Sequence, residues 1–170
     1  MDAIRRAFER CVKAVTLKPS IGRGTAVSRT RMREGLVCEI EDGTWKLTAD
    51  FSQRLGGGET APNPGVFGRA ALGSCLAIGY MIRAAKYGVP IASLEVAVEA
   101  DYDTGALLGT SATPPGYREV RYTVTVESAA PDADVRRMLD EADAHSPYLH
   151  IFTEPQVCRR TVRILAPQEV

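Results

Sequence analysis

Residues 66–87 place the strongest constraint on the fold. They read VFGRAALGSCLAIGYMIRAAKY, and Gly88 and Pro90 follow. Phe67, Ala70, Leu72, Leu76, Ile78, Met81 and Ile82 occupy nearly every side of the helix this spacing predicts. A helix that is apolar all round is expected inside a protein. Gly73, Ser74, Ala77 and Gly79 let neighbouring backbones come close. Arg69 at one end, and Arg83 with Lys86 at the other, can reach solvent or a partner. Gly88 supplies a left-handed stop, with a proline just beyond it.

The rest of the chain is read around this helix. In residues 2–16, Ile4, Ala7, Phe8, Cys11 and Val15 fall on one helical stripe, and Pro19 and Gly22 end the run. This gives an N-terminal amphipathic extension, 1–22, ahead of a single domain, 23–170. Residues 35–41 and 44–50 alternate about the turn Asp42-Gly43, which predicts a hairpin, and a strand near 25–32 is expected to pair with it. Clean alternation recurs at 94–102 and 118–127. A helix from Asp132 carries Val135, Met138, Leu139 and Ala142 on one face, the segment HSPYLHIF (145–152) ends or re-angles it, and a last strand is expected at about 157–165. Strands and helices do not alternate strictly, so the class is α+β.

Composition excludes some functions. Lys+Arg and Asp+Glu balance at 21 each, so there is no electrostatic footprint for nucleic acid or an anionic membrane surface. No apolar run long enough to span a membrane is free of charge, and the charged N-terminus has no signal-peptide core. The basic residues are mostly arginine, with an Ala- and Gly-rich background, as in a GC-rich bacterial gene. Cys11, Cys38, Cys75 and Cys158 are scattered, with no C-x-x-C pair, so neither a zinc site nor a dithiol motif is expected. The chain has no need of disulfides, and a reducing cytoplasm is expected. The glycines of RLGGGETAPNPG (54–65) match neither phosphate-binding spacing.

Cys75 lies in the middle of the apolar helix. Cysteine packs well as a small hydrophobe, and a reactive thiol needs a cation, a donor or a helix N-terminus beside it. The helix end is too far away, so any cation must come from elsewhere. At this point the residues carry a resemblance. NPGVFGRAALGSCLAIGYMIRAAKYG resembles the core helix of the OsmC/Ohr family, the osmotically inducible and organic-hydroperoxide-resistance proteins, in which Asn-Pro-Glu precedes an alanine-rich helix with the reactive cysteine. HSPYLHIF is similar to the family's Cys-Pro-Tyr segment, and Arg33-Glu34-Gly35 to its Arg-Asp-Gly stretch.

The resemblance implies an intertwined homodimer, with an antiparallel six-stranded sheet wrapped around long buried helices and active sites near the subunit interface. It implies reduction of organic hydroperoxides: a cysteine attacks the O–O bond, a second cysteine resolves the sulfenic acid, and a dithiol such as a lipoyl group restores the thiols. It assigns the nucleophile to Cys75 and its cation to Arg33, with Arg29 or Arg31 as alternatives and Arg69 as a further cation near the mouth. No cofactor is implied. This chain departs from the pattern at two positions. Ser146 stands where the resolving cysteine would be, and Gly65 where the arginine-orienting glutamate would be. A one-cysteine cycle with an external thiol follows, and Glu34 or Glu59 is left to orient the arginine. The alternative is a catalytically silent protein that holds a small apolar ligand in the dimer-interface cavity.

The two histidines flank Ser146. His145 and His150 lack a third metal ligand, and His145 is a candidate base beside Cys75, or an ordinary helix-end histidine. A Ser146–His145–Asp143 relay is excluded, because neighbours on one turn cannot align for it. Residues 159–163, RRTVR, read as a strand with a solvated basic face.

Overall fold

The computed structural model describes residues 1–166. The helices are α1 (Asp2–Leu17), α2 (Pro64–Tyr87), α3 (Thr104–Leu108), α4 (Asp132–Asp143) and α5 (Pro147–Thr153). The strands are β1 (Ser28–Met32), β2 (Cys38–Asp42), β3 (Trp45–Ala49), β4 (Ser93–Asp101) and β5 (Glu119–Glu127).

Local chemistry sets both ends of α2. The Asn63 side chain accepts a hydrogen bond from the Val66 N–H at 3.2 Å, and Pro64 takes the first helical position. At the other end Gly88 adopts φ 69°, and its N–H bonds to the Ala84 carbonyl. Leu72, Leu76, Tyr80 and Ala84 recur every fourth residue and are fully buried, and Met138 and Ala142 of α4 join the same core. Burying each leucine contributes about 2 kcal/mol. The β4–β5 hairpin covers this core with Val96, Val98, Val120, Tyr122 and Val124. By length and composition α2 is apolar enough to cross a membrane. Its buried stripe against α4 and β4 is instead the packing of a core helix.

Two expectations are corrected. The helix is not enclosed all round within one chain. Val66, Ala70, Ser74 and Ile78 form an opposite stripe that is exposed, Ile78 by 61%. α1 meets α2 but buries no residue fully; Phe8 lies beneath the Arg83 guanidinium, 5.3 Å from it. Nor do the described residues form a six-stranded sheet. The described residues hold five strands in two antiparallel sheets, ordered β1-β2-β3 and β4-β5. Residues 157–165 form no strand, and Val157 and Ile164 are 84% and 90% exposed. A strand exists through ladder bonds to a neighbour, and this segment finds none among the described residues.

Register divides the meander β1–β3 into two unlike faces. Met32, Cys38 and Ala49 align, as do Thr30, Ile40 and Leu47, and this face continues to Trp45. The other face aligns Arg29 with Glu41 and Lys46, and Arg31 with Glu39 and Thr48. The apolar face is left largely open: Trp45, Met32 and Leu47 are exposed.

Candidate functional site

Cys75 is half-buried on α2, and its Sγ lies 3.5 Å from Ser146 Oγ. Ser146 is itself buried and caps α5, accepting from the Leu149 N–H at 3.2 Å. Its hydroxyl proton is thereby left free to point at the sulfur. A neutral thiol can donate to the hydroxyl; a thiolate can only accept from it, and a hydrogen bond to the charged form favours that form. The α4–α5 turn brings the serine here, with Ser146 N–H bonded to the Asp143 carbonyl at 3.1 Å.

The Asp143 carboxylate is anchored in turn. It accepts from the Tyr80 hydroxyl at 2.7 Å and from the Tyr122 hydroxyl at 2.9 Å. Burial, and then the bond to Asp143, push the Tyr122 phenol up to about 12 and raise Tyr80 as well, so both remain protonated donors. This carboxylate is therefore engaged away from His145, whose exposed ring places Nδ1 2.8 Å from the Glu141 carbonyl. No Ser–His–Asp relay forms. His150 is exposed on α5, and among the described residues no group of three His, Cys, Asp or Glu side chains gathers as a metal site.

Two of the expected cations are already paired with carboxylates, Arg31 with Glu41 at 3.0 Å and Arg33 with Glu39. Arg33 pairs with Glu39 at 2.7 Å, and its hydrogen bond holds the Glu39 carboxyl below its ordinary range. Alternation from Arg29 and Arg31 puts Arg33 on the charged side of the meander. Glu34 lies in the tight turn after β1, where its carbonyl accepts from Val37 N–H at 3.0 Å. Glu39, rather than Glu34 or Glu59, is the carboxylate beside Arg33.

Position 65 is crowded with polar atoms. A Cβ there would lie 3.1 Å from Asn63 Oδ1, 3.3 Å from Arg69 Nη1 and 3.4 Å from the Tyr117 hydroxyl. Arg69 thus leans toward the N-terminus of α2, as helical side chains do, and away from Cys75. Tyr117 donates to the Gly65 carbonyl at 3.2 Å and stacks on Phe152 of α5, with centroids 6.3 Å apart.

The sequence reading passed over Asp50. It is buried, and it accepts from Phe51 N–H (2.7 Å), Gly58 N–H (3.1 Å), Thr60 N–H (3.0 Å) and Thr60 Oγ1 (2.8 Å). The Thr60 bonds lead in pulling its carboxyl down to about 2. Asp50 fastens the loop leading to Asn63, and Gly57 is required there because a Cβ would strike the Phe51 carbonyl. The only signal in the sequence is an aspartate closing a strand before a run of glycines.

Two grooves flank α2 without including Cys75. One, of about 510 Å³, is lined by Ile4, Ile78, Met81, Ile82, Ile91 and Leu94. The other, of about 340 Å³, lies between Val66, Arg69, Gly73 and Val96.

A long core helix presenting one cysteine to a capped helix start, backed by antiparallel hairpins, defines the class. The family model of OsmC-like proteins matches residues 56–159, more than half of the chain, and the chain belongs to that family. No curated protein matches the sequence. Among solved structures it is similar to an OsmC-like protein from Mycoplasma pneumoniae (14% identity, 76% of this chain and 87% of that one, TM-score 0.65). It is also similar to an organic hydroperoxide resistance protein OsmC from Legionella pneumophila (15% identity, 76% and 90%, TM-score 0.56) and to one from Elizabethkingia anophelis (12% identity, 77% and 89%, TM-score 0.59). At these identities the likeness is one of fold.

Proposed function

We propose that this protein reduces organic hydroperoxides as a homodimer, with Cys75 as the nucleophile of a one-cysteine cycle. The observation that carries the reading is the 3.5 Å pairing of Cys75 Sγ with the buried Ser146 hydroxyl, at the position of the family's resolving cysteine. The Cys75 thiolate attacks the terminal oxygen of the hydroperoxide. The O–O bond breaks, the alkoxide leaves and takes a proton to become the alcohol, and Cys75 is oxidised to sulfenic acid. An external thiol attacks that sulfur and water leaves. A second thiol, or the second arm of a dithiol such as a lipoyl group, then releases Cys75 and is oxidised to a disulfide. The four free cysteines suit a reducing cytoplasm.

The bare α2 stripe around Ile78, the open apolar face of the meander and the exposed residues 157–165 support the dimer, since a second copy would cover apolar surface that one chain leaves in water. Arg33 serves as the cation on this reading once it exchanges Glu39 for the thiolate. Nucleic acid and membrane are not partners on this reading.

Brief exposure to an organic hydroperoxide with a sulfenic-acid trap, followed by intact mass, tests the proposal. The trap should label Cys75, a dithiol should prevent it, and Cys75→Ser should abolish turnover while the protein stays folded. Turnover surviving in Cys75→Ser would sink the reading. A second reading has its own support: Arg33 is tied to Glu39, position 65 lacks its carboxylate, and an apolar groove of about 510 Å³ lies beside α2. On that reading the protein binds a small apolar ligand without turnover, and Cys75 stays unlabelled while a free-thiol standard reacts.

A further inference from the structure

The half-buried Asp143 carboxylate has no part in the cycle above, yet it lies one turn from Ser146, the only hydrogen-bond partner of the Cys75 thiol among the described residues. It gathers three elements. Tyr80 reaches it from α2, Tyr122 from the middle of β5, and Asp143 itself closes α4. Tyr80 is fully buried and rides the same helix as Cys75. Three residues after Asp143 the chain delivers Ser146, whose N–H is held by the Asp143 carbonyl and whose hydroxyl meets the sulfur. The end of α4 is thus fixed relative to α2 at one point, and the serine is presented to α2 at the next.

We propose that Tyr80, Asp143 and Tyr122 form a positioning unit that sets the Ser146 hydroxyl on Cys75. The contact is sensitive to such control. At 3.5 Å the sulfur–oxygen separation has little slack, and Ser146 is already constrained by its cap to Leu149. A small rotation of the α4–α5 turn would keep the cap and lose the bond to sulfur. The ionisable groups about the unit are Tyr80, Tyr122, Asp140 and Asp143, with Asp140 acting on both phenols through its charge. The inference rests on the reading of Cys75 as a reactive thiol, and its test reads labelling of that thiol, with peroxide turnover followed only to separate the two readings.

The experiment follows iodoacetamide labelling of Cys75 against pH by peptide mass spectrometry, with exposed Cys11 and Cys158 as internal standards. It compares the native protein with Ser146→Ala, Tyr122→Phe and the double variant. Ser146→Ala should move the Cys75 profile to higher pH and slow labelling below its midpoint by about tenfold, the worth of one charge-assisted hydrogen bond. Tyr122→Phe should move it the same way. In the Ser146→Ala background Tyr122→Phe should add nothing, because the unit acts through the serine. Additive shifts, or no shift from either single variant, would overturn the proposal. If Tyr122→Phe fails to fold, Asp143→Asn, which keeps one acceptor, goes through the same cycle. Coupled labelling without turnover would end the reductase reading and leave the positioning unit standing; uncoupled labelling with turnover would do the reverse.

Discussion

Ser146→Cys should convert this site into one that closes a disulfide with Cys75. The two side-chain atoms stand 3.5 Å apart in the native protein. A disulfide needs about 2.05 Å, so the gap must shrink by about 1.5 Å, part of it from the longer C–S bond and the rest from side-chain rotation. The two positions are 71 residues apart in sequence. Closing a loop of that size removes chain entropy worth about 4 kcal/mol from the unfolded state. Losing the serine cap of α5 gives back about 1 kcal/mol. The net gain of about 3 kcal/mol raises Tm by roughly 6–12 °C in a chain of this size. Intact mass should lose two hydrogens on mild oxidation, and melting with and without reductant should differ by that interval. One equivalent of hydroperoxide should also oxidise the variant without any sulfenic acid being trapped. Two persistent free thiols at positions 75 and 146 under oxidant would refute the reasoning, because they would mean that the serine and the cysteine do not face one another.

Three further outcomes are expected. Ile78→Arg, placed on the bare stripe of α2, should turn a dimeric mass in light scattering into a monomeric one; an unchanged mass would remove α2 from the interface. Asp50→Asn should lower Tm by several degrees near neutral pH. The folded Asp50 carboxyl lies at about 2, below its unfolded value, so its contribution is complete above about pH 4 and fades as pH falls toward 2. The gap in Tm between native and variant should therefore close over that window, and a gap independent of pH would contradict the assignment. Gly65→Glu should fold, because its neighbours are flexible side-chain ends, and the new carboxylate should pair with Arg69 rather than Arg33. Peroxide reduction that rises sharply in this variant would show that the arginine was waiting for that carboxylate.

Much of the fold was legible because its signals are local. Asn63-Pro64 and Gly88 bracket α2, Asp42-Gly43 turns the hairpin, and strict alternation marks β4 and β5. What failed depends on partners. The 157–165 segment has the pattern of a strand, but pattern does not supply a neighbour. The apolar circumference of α2 predicts burial without saying that one chain covers only the Leu72–Ala84 stripe. At the site, Cys75 and Ser146 were legible together because the family resemblance aligns both segments. The lean of Arg69 toward position 65 was not legible, because spacing along a helix omits the direction in which a side chain points. Asp50 and Asp143 escaped because their roles are made by backbone amides and phenols distant in sequence.

The Asp50 knot also decides where this chain can be cut or extended. A glycine-rich run between two elements invites the view that 54–62 is slack. A protease must draw several residues out into an extended strand, and here the amides of Gly58 and Thr60 and the Phe51 carbonyl are already bound. Nicking and inserted tags should instead be accommodated at residues 154–156, where α5 has ended and the side chains stand in water ahead of the 157–165 segment. The apparent hinge between meander and core helix is thus one of the chain's closed seams.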